Sequence, residues 1–174
     1  MTSLASDCGA SGRPRITAAD VDELTVSVQR FQAYELVDGL MDGDVPRTLA
    51  VCEGLLECGD KPTAVVGRLA DFFRGLAWAK DSLAANAATP PEVFARLFPQ
   101  IKKEWTGLYA RKSGALFRLL DGLTDADLGR LLGDLVRIDR LLKSSDASPL
   151  AAIEGFLLAF LTSRRPRPAS RPAG

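Results

Sequence analysis

Apolar residues recur along this chain at the three- and four-residue spacing of an amphipathic helix, and almost nowhere do they alternate with period two. The clearest run is Leu128, Leu131, Leu132, Leu135, Ile138 and Leu142. A helix buries one such stripe, whereas a half-buried strand needs strict alternation. Because 47% of the 174 residues are apolar, the chain can bury one hydrophobic core. The pattern predicts an all-α helical bundle.

Capping residues, prolines and glycines divide this pattern into separate helices. The predicted helices begin at or near Thr17, Phe31, Pro46, Pro62, Pro90, Pro99, Thr124 and Pro149. Thr17 with Asp20, and Thr124 with Asp127, have the spacing of a capping box. Residues 111–114 are a candidate break within the helix that begins at Pro99. Cys52 lies on an apolar stripe, which predicts a buried thiol that packs as a small hydrophobic group.

The two ends of the chain have a different composition from its body. Residues 1–15 include Ser, Gly, Asp and Arg and few apolar residues, and residues 164–174 are rich in Arg and Pro. Such segments hold too few apolar side chains to join a core, so we expect both to be disordered. The basic C-terminal tail is interpreted as a solvated end.

The sequence favours a reducing cytoplasmic location. It has three cysteines without a CxxC pair, which indicates neither a disulfide framework nor a zinc site. Its start lacks the basic and apolar regions of a signal peptide. No apolar run approaches the roughly 20 residues that a membrane helix needs, so we expect no membrane association.

Catalytic chemistry has little support in the sequence. There is no histidine, the side chain best suited to general acid–base work near neutral pH. The acidic pairs Asp42 with Asp44 and Asp125 with Asp127 stand where turns and helix starts favour acids. No GxxxxGK[ST] loop is present to bind nucleotide phosphates. We therefore expect no enzyme activity, no cofactor and no metal site.

Basic and aromatic residues interleave in one stretch only. Its members are Lys102, Lys103, Trp105, Tyr109, Arg111 and Lys112. They form a possible interaction or DNA-proximal face. The alternative is a solvated helix face whose aromatic rings lie in the core, and this alternative is the better supported. Because Lys plus Arg and Asp plus Glu are both 22, any DNA contact has to be local and weak.

Four stretches of the sequence resemble one protein family. They are ITAADVDELT from Ile16, FQAYELVDGLMDGDVPRTLAVCEGLLECGDKPTAVVGRL from Phe31, FPQIKKEW from Phe98, and VRIDRLLKSSDASPLAAIEGFLLAFL from Val136. In order and spacing they are similar to the delta subunit of the bacterial clamp loader, part of the DNA polymerase III holoenzyme. The resemblance implies that residues 16–29 end the lid domain and residues 30–163 form the helical collar domain.

The resemblance also implies a function. A collar holds the subunits of a clamp loader together while the sliding clamp is loaded during DNA replication, and it does no chemistry itself. The implied partners are the ATPase and delta-prime subunits. The sliding clamp is not expected to bind, because the N-terminal module that grips it in the family has no counterpart here. The alternative is a free-standing helical adaptor, derived from delta or unrelated to it.

An assembly domain requires apolar surface beyond what its own core uses. Trp105, Phe94 and Phe98 are the candidates for such exposure. Several glycines also interrupt the family-like helices, namely Gly67, Gly75, Gly129 and Gly133. A glycine inside a helix costs about 1 kcal/mol relative to alanine. Close packing of neighbouring helices is the expected reason for them.

Overall fold

The computed structural model describes residues 34–144 and 148–164, which form seven α-helices and contain no strand. Helix α1 spans residues 34–42. The others are α2 Val45–Glu57, α3 Pro62–Ala84, α4 Pro90–Leu97, α5 Thr106–Asp121, α6 Asp125–Ser144 and α7 Pro149–Ser163. The predicted all-α class is confirmed. The helix predicted near Thr17 and the predicted disordered ends lie outside the described residues, except for Arg164.

Proline, glycine and short polar side chains set most of the helix ends, as the sequence predicts. Prolines occupy the first turns of α2, α3, α4 and α7, where a missing N–H costs nothing. Gly43 and Gly59, with φ of 72° and 91°, turn the chain after α1 and α2. The Asp44 carboxylate accepts a hydrogen bond from the Arg47 backbone N–H at 3.1 Å and caps α2.

The capping box predicted at the start of α6 is confirmed. The Thr124 hydroxyl accepts a hydrogen bond from the Asp127 N–H at 3.1 Å, and the Asp127 carboxylate accepts one from the Thr124 N–H at 3.1 Å. The hydroxyl and backbone of Thr124 hold the pKa of Asp127 below its usual value. Thr89 and Glu92 form an equivalent box at α4, which the sequence analysis did not identify.

The prediction of a helix from Pro99 with a break at 111–114 is wrong on both counts. Residues 98–105 form turns, in which the Ile101 N–H donates to the Phe98 carbonyl and the Trp105 N–H donates to the Lys102 carbonyl. Helix α5 begins only at Thr106 and runs without interruption through residues 111–114. Lys112, Ala115 and Leu116 in its middle are buried, so this part of α5 packs against the bundle.

Helix α3 lies at the centre of the bundle and contacts α2, α4, α6 and α7. Phe73, fully buried near its middle, meets Phe156 and Phe160 of α7 edge to face, with ring centroids 5.9 and 5.1 Å apart. Cys52 is fully buried as predicted, and burial raises the pKa of its thiol to about 11. The sulfur is therefore a core atom and stays protonated at neutral pH.

The glycines do not share one explanation. A Cβ at Gly75 would lie 2.7 Å from Leu97 Cδ2 of α4, so the expected close packing is confirmed there. It is wrong for Gly67, Gly129 and Gly133, where a Cβ would meet nothing within 4 Å. Close packing also occurs at Gly39 of α1, which was not among the predicted positions: a Cβ there would lie 2.5 Å from Thr48 Oγ1 of α2.

Candidate interaction surface and buried ion-pair network

Helix α5 carries one charged side chain into the interior. Lys112 is 3% exposed and forms ion pairs with two acids of α1, Asp38 and Asp42, the second at 3.3 Å. Asp38 is itself buried, and its other oxygen lies 2.9 Å from Arg47 Nη1 of α2. A buried cation needs such partners, because the desolvation of an unpaired charge is costly. The network therefore joins α1, α2 and α5.

Tyr34 stands beside this network at the start of α1. Its ring meets Phe98 edge to face at 6.1 Å, and its hydroxyl is buried, with no hydrogen-bond partner in the described part of the chain. Burial, followed by the negative charges of Asp38 and Asp42, raises the pKa of Tyr34 to about 12. The phenol is therefore neutral at physiological pH and does not supply a base.

The six residues of the predicted interaction face do not lie on one surface. Lys102, Lys103, Trp105 and Arg111 are exposed, and Tyr109 is half-buried, with its ring 4.7 Å from that of Phe94. Lys112 has to be removed from the face, because its ammonium group is buried against Asp38 and Asp42. For the exposed members, the interaction face stays a prediction.

The sequence contained a signal for the burial of Lys112 that the analysis missed. Leu108, Lys112, Ala115 and Leu119 follow one another at helical spacing, which places the lysine on the apolar stripe of α5. Its neighbour Arg111 lies off this stripe and is exposed. A lysine on an apolar stripe predicts a buried acid elsewhere in the fold.

The expected apolar exposure is confirmed for one of its three candidates. Trp105 is 49% exposed, whereas Phe94 and Phe98 are buried, with their rings 5.3 Å apart beneath Tyr109. A further apolar surface lies on α7, a 15-residue helix in which Glu154 is the one charged residue. Its outer side is formed by the exposed residues Ala151, Gly155, Leu158, Ala159 and Thr162. A helix that is apolar on all sides is typically buried on all sides.

The described residues do not form a metal-binding cluster. Within them no group of three or more His, Cys, Asp or Glu side chains is close enough to hold a metal ion. A cleft of about 360 Å³ at the ends of α5, α6 and α7 is lined in part by Arg118, Arg130 and Arg164. Arg130 pairs with Asp127, and Arg164 donates a hydrogen bond to the Leu40 carbonyl at 2.9 Å. Two of these cations thus have structural partners.

These features define a helical bundle whose distinctive parts are surfaces and a buried ion-pair network. No protein-family model matches the sequence, and the comparison with curated proteins gives no match either. Among solved structures, the fold is similar to that of the Bacillus subtilis DNA clamp loader delta protein (YqeN), with a TM-score of 0.56 and 16% sequence identity. The match covers 83% of this chain and 40% of that one. The chain therefore has a clamp-loader-like helical fold and spans less than half of that protein's length.

Among the helices of the described residues, none combines the length and the apolar character needed to cross a membrane.

Proposed function

We propose that this chain acts as a collar-type assembly domain of a clamp-loader delta subunit, with residues 30–163 forming the collar and residues 16–29 the end of the lid domain. The observation that carries the proposal is the fold shared with a clamp-loader delta protein over 83% of the chain. The four family-like stretches of the sequence also support it.

The proposed role is structural. The chain would hold neighbouring subunits in place while the sliding clamp is loaded in the cytoplasm, without hydrolysing ATP itself. Its partners would be the ATPase and delta-prime subunits, and it would not grip the sliding clamp. The packed core around α3 and the buried network of Lys112 suit a rigid support of this kind.

The outer side of α7 is the part of the chain best suited to contact a neighbouring subunit. Leu158 projects from it with 38% exposure, and Gly155 and Ala159 beside it allow a second helix to approach closely. When a partner covers an uncharged surface of this kind, the burial of apolar area stabilises the complex. We assign the assembly contact to this side of α7.

The test is to mix the purified chain with the clamp-loader ATPase and delta-prime subunits of the same organism, followed by size-exclusion chromatography with light scattering. We expect a stoichiometric complex with the wild-type chain. Leu158→Glu should abolish it, since a carboxylate would be placed in an apolar contact. Val136→Glu on α6, which also replaces an exposed apolar side chain, should leave the complex intact.

Two results would contradict the proposal at different levels. A well-folded chain that forms no complex would refute the collar role and leave a helical adaptor as the better explanation. A complex that Leu158→Glu leaves intact would retain the role but exclude the assignment of the contact to α7. Circular dichroism of each variant shows whether the fold is kept.

A further inference from the structure

An apolar cleft lies between α1, α3 and the end of α4. Its volume is about 320 Å³, and its apolar wall consists of Tyr34, Val37, Phe72, Leu97 and Phe98. We call these five residues the α1 cleft. An apolar cavity of about 150 Å³ can hold a benzene molecule, so the α1 cleft has room for about two apolar side chains of that size.

The charged groups at the rim of the α1 cleft already have partners. Arg68 pairs with Asp60, and Asp71 pairs with Arg74. Gln100 is the other polar residue that lines the cleft. Because these charges are compensated within the described residues, the cleft favours an uncharged, apolar occupant over an ionic one.

The chain enters the bundle at the α1 cleft. Tyr34 is the first described residue, and its own ring lines the cleft and meets Phe98 edge to face at 6.1 Å. The residues that precede Tyr34 therefore start at the cleft, and one that lies six positions earlier is at most about 20 Å away. An apolar groove between α3 and α6 has a similar volume, about 330 Å³, but no residue of α1 lines it.

The sequence before α1 predicts a helix with one apolar stripe. This helix begins at Thr17, and its stripe is formed by Val21, Leu24 and Val28. At about 100° per residue, the opposite side carries Asp22, Glu23, Val26 and Arg30. We call residues 17–30 the N-terminal segment. A helix of this length is marginal in water by itself, so its formation requires that the stripe be covered.

The Tyr34 hydroxyl supplies a second indication. It is buried and has no hydrogen-bond partner within the part of the chain that the structure describes. Buried hydroxyl groups in proteins generally have a partner, because an unsatisfied one is unfavourable. The amide side chains of Gln29 and Gln32 can both donate to and accept from a phenol. A segment that covers the cleft can therefore supply the partner that Tyr34 lacks.

We propose that the N-terminal segment folds back onto the bundle and places Val21, Leu24 and Val28 in the α1 cleft. Residues 31–33 would form the link, since links of about two to five residues are typical between antiparallel helices. The charged side of the segment would stay in solvent. This contact lies within one chain, so it does not rest on the collar role. In that role it would hold the end of the lid domain against the collar.

The first measurement is hydrogen exchange of the full chain, followed by mass spectrometry of peptides from the N-terminal segment. Its amides should exchange at least about tenfold more slowly than those of a free peptide of the same sequence. Val28→Asp, which places a charge on the stripe, should remove this protection. The matched control Val26→Asp makes the same change on the opposite side and should alter the rates less than about twofold.

A second measurement locates the contact. In a Cys8→Ser/Cys58→Ser background, Leu97→Cys is combined in turn with Val21→Cys, Leu24→Cys and Val28→Cys. At least one pair should close a disulfide under mild oxidation, because the two Cβ atoms then approach within about 4.5 Å. Leu97→Cys with Val26→Cys should stay reduced. Thermal unfolding of each variant checks that the fold is kept, and Val28→Ser serves if Val28→Asp does not fold.

Several results would overturn the proposal. They are unprotected amides in the wild-type segment, and protection that Val28→Asp leaves intact or that Val26→Asp removes equally. Protected amides without any disulfide to Leu97→Cys would place the segment outside the α1 cleft. Protection that rises with protein concentration would assign the cleft to a second copy of the chain. All of these readouts use the chain alone, so a failed complex with clamp-loader subunits would refute the collar role and leave this contact standing.

Discussion

Replacement of Lys112 by methionine tests the buried ion-pair network directly. Methionine has a similar length and no charge, so the substitution removes the cation while most of the packing is kept. Asp38, which is 4% exposed, then loses one of its two cationic partners. Its carboxylate remains buried beside an apolar side chain, and desolvation is no longer offset on that side.

The magnitude follows from burial and from the partners that remain. Removal of one member of a buried ion pair typically costs about 3–5 kcal/mol. Arg47 still lies 2.9 Å from Asp38, and the side chain of Asp42 is 35% exposed and can be solvated. We therefore expect Lys112→Met to lower the free energy of unfolding by about 3 kcal/mol, the lower end of that range.

Urea denaturation followed by circular dichroism measures this change as a shift of the midpoint at constant slope. The control is Lys143→Met, which removes a lysine that is 63% exposed and paired with Asp139 on the surface of α6. Such a surface pair contributes about 0.5 kcal/mol. The double variant Lys112→Met/Asp38→Leu should cost less than the sum of its single variants, because neither buried member of the Lys112–Asp38 pair is then left without the other. A Lys112→Met midpoint as close to wild type as that of the control would refute the reasoning.

Three further predictions concern packing, capping and thiol reactivity. Gly39→Ala should destabilise the fold by about 1–3 kcal/mol through the clash with α2, whereas Gly133→Ala, with open space, should stabilise it by up to about 1 kcal/mol in the same urea assay. Thr124→Ala should cost about 1 kcal/mol by removal of the α6 cap, and an unchanged midpoint would contradict this. The thiol of Cys52 has a pKa of about 11, so at pH 8 only about one part in a thousand of it is ionised. Iodoacetamide should therefore alkylate the exposed Cys58 and leave the buried Cys52 intact until urea is added, as measured by mass spectrometry.

The parts of the fold that the sequence predicts are those with local causes. Three such local features are the periodic leucines of α6, the capping box at Thr124 and the proline at the start of α7. Each acts within one or two helical turns, so the helix that it predicts does not depend on the rest of the bundle. The start of α5 depends on more distant contacts. Pro99 is compatible with the first turn of a helix. The chain instead forms turns at residues 98–105, and Ile101 within them is buried, with only 6% exposure.

The candidate site was predicted only in part, for a related reason. The sequence places basic and aromatic residues close together along the chain, but the side of α5 that each one occupies depends on which helices cover it. Asp42 lies 70 residues from Lys112, and no local pattern links the two. Exposure of Trp105 and burial of Phe94 were likewise decided by tertiary packing, because both are aromatic residues in similar surroundings in the sequence.

Helix α5 carries one buried cation, Lys112, and two exposed ones, Arg111 and Arg118, and the need for an acidic partner depends on burial in each case. Lys112 enters the core, so the fold has to supply acids for it, and α1 supplies Asp38 and Asp42. Arg111 and Arg118 stay in water, where no partner is required and none is present among the described residues. The charge of Lys112 is balanced by its acidic partners, so this lysine affects stability alone. The exposed arginines produce a positive electrostatic potential that reaches about one Debye length, roughly 10 Å, into the solvent. Loss of Lys112 should thus change the free energy of unfolding and leave the salt dependence of any anion binding unaltered.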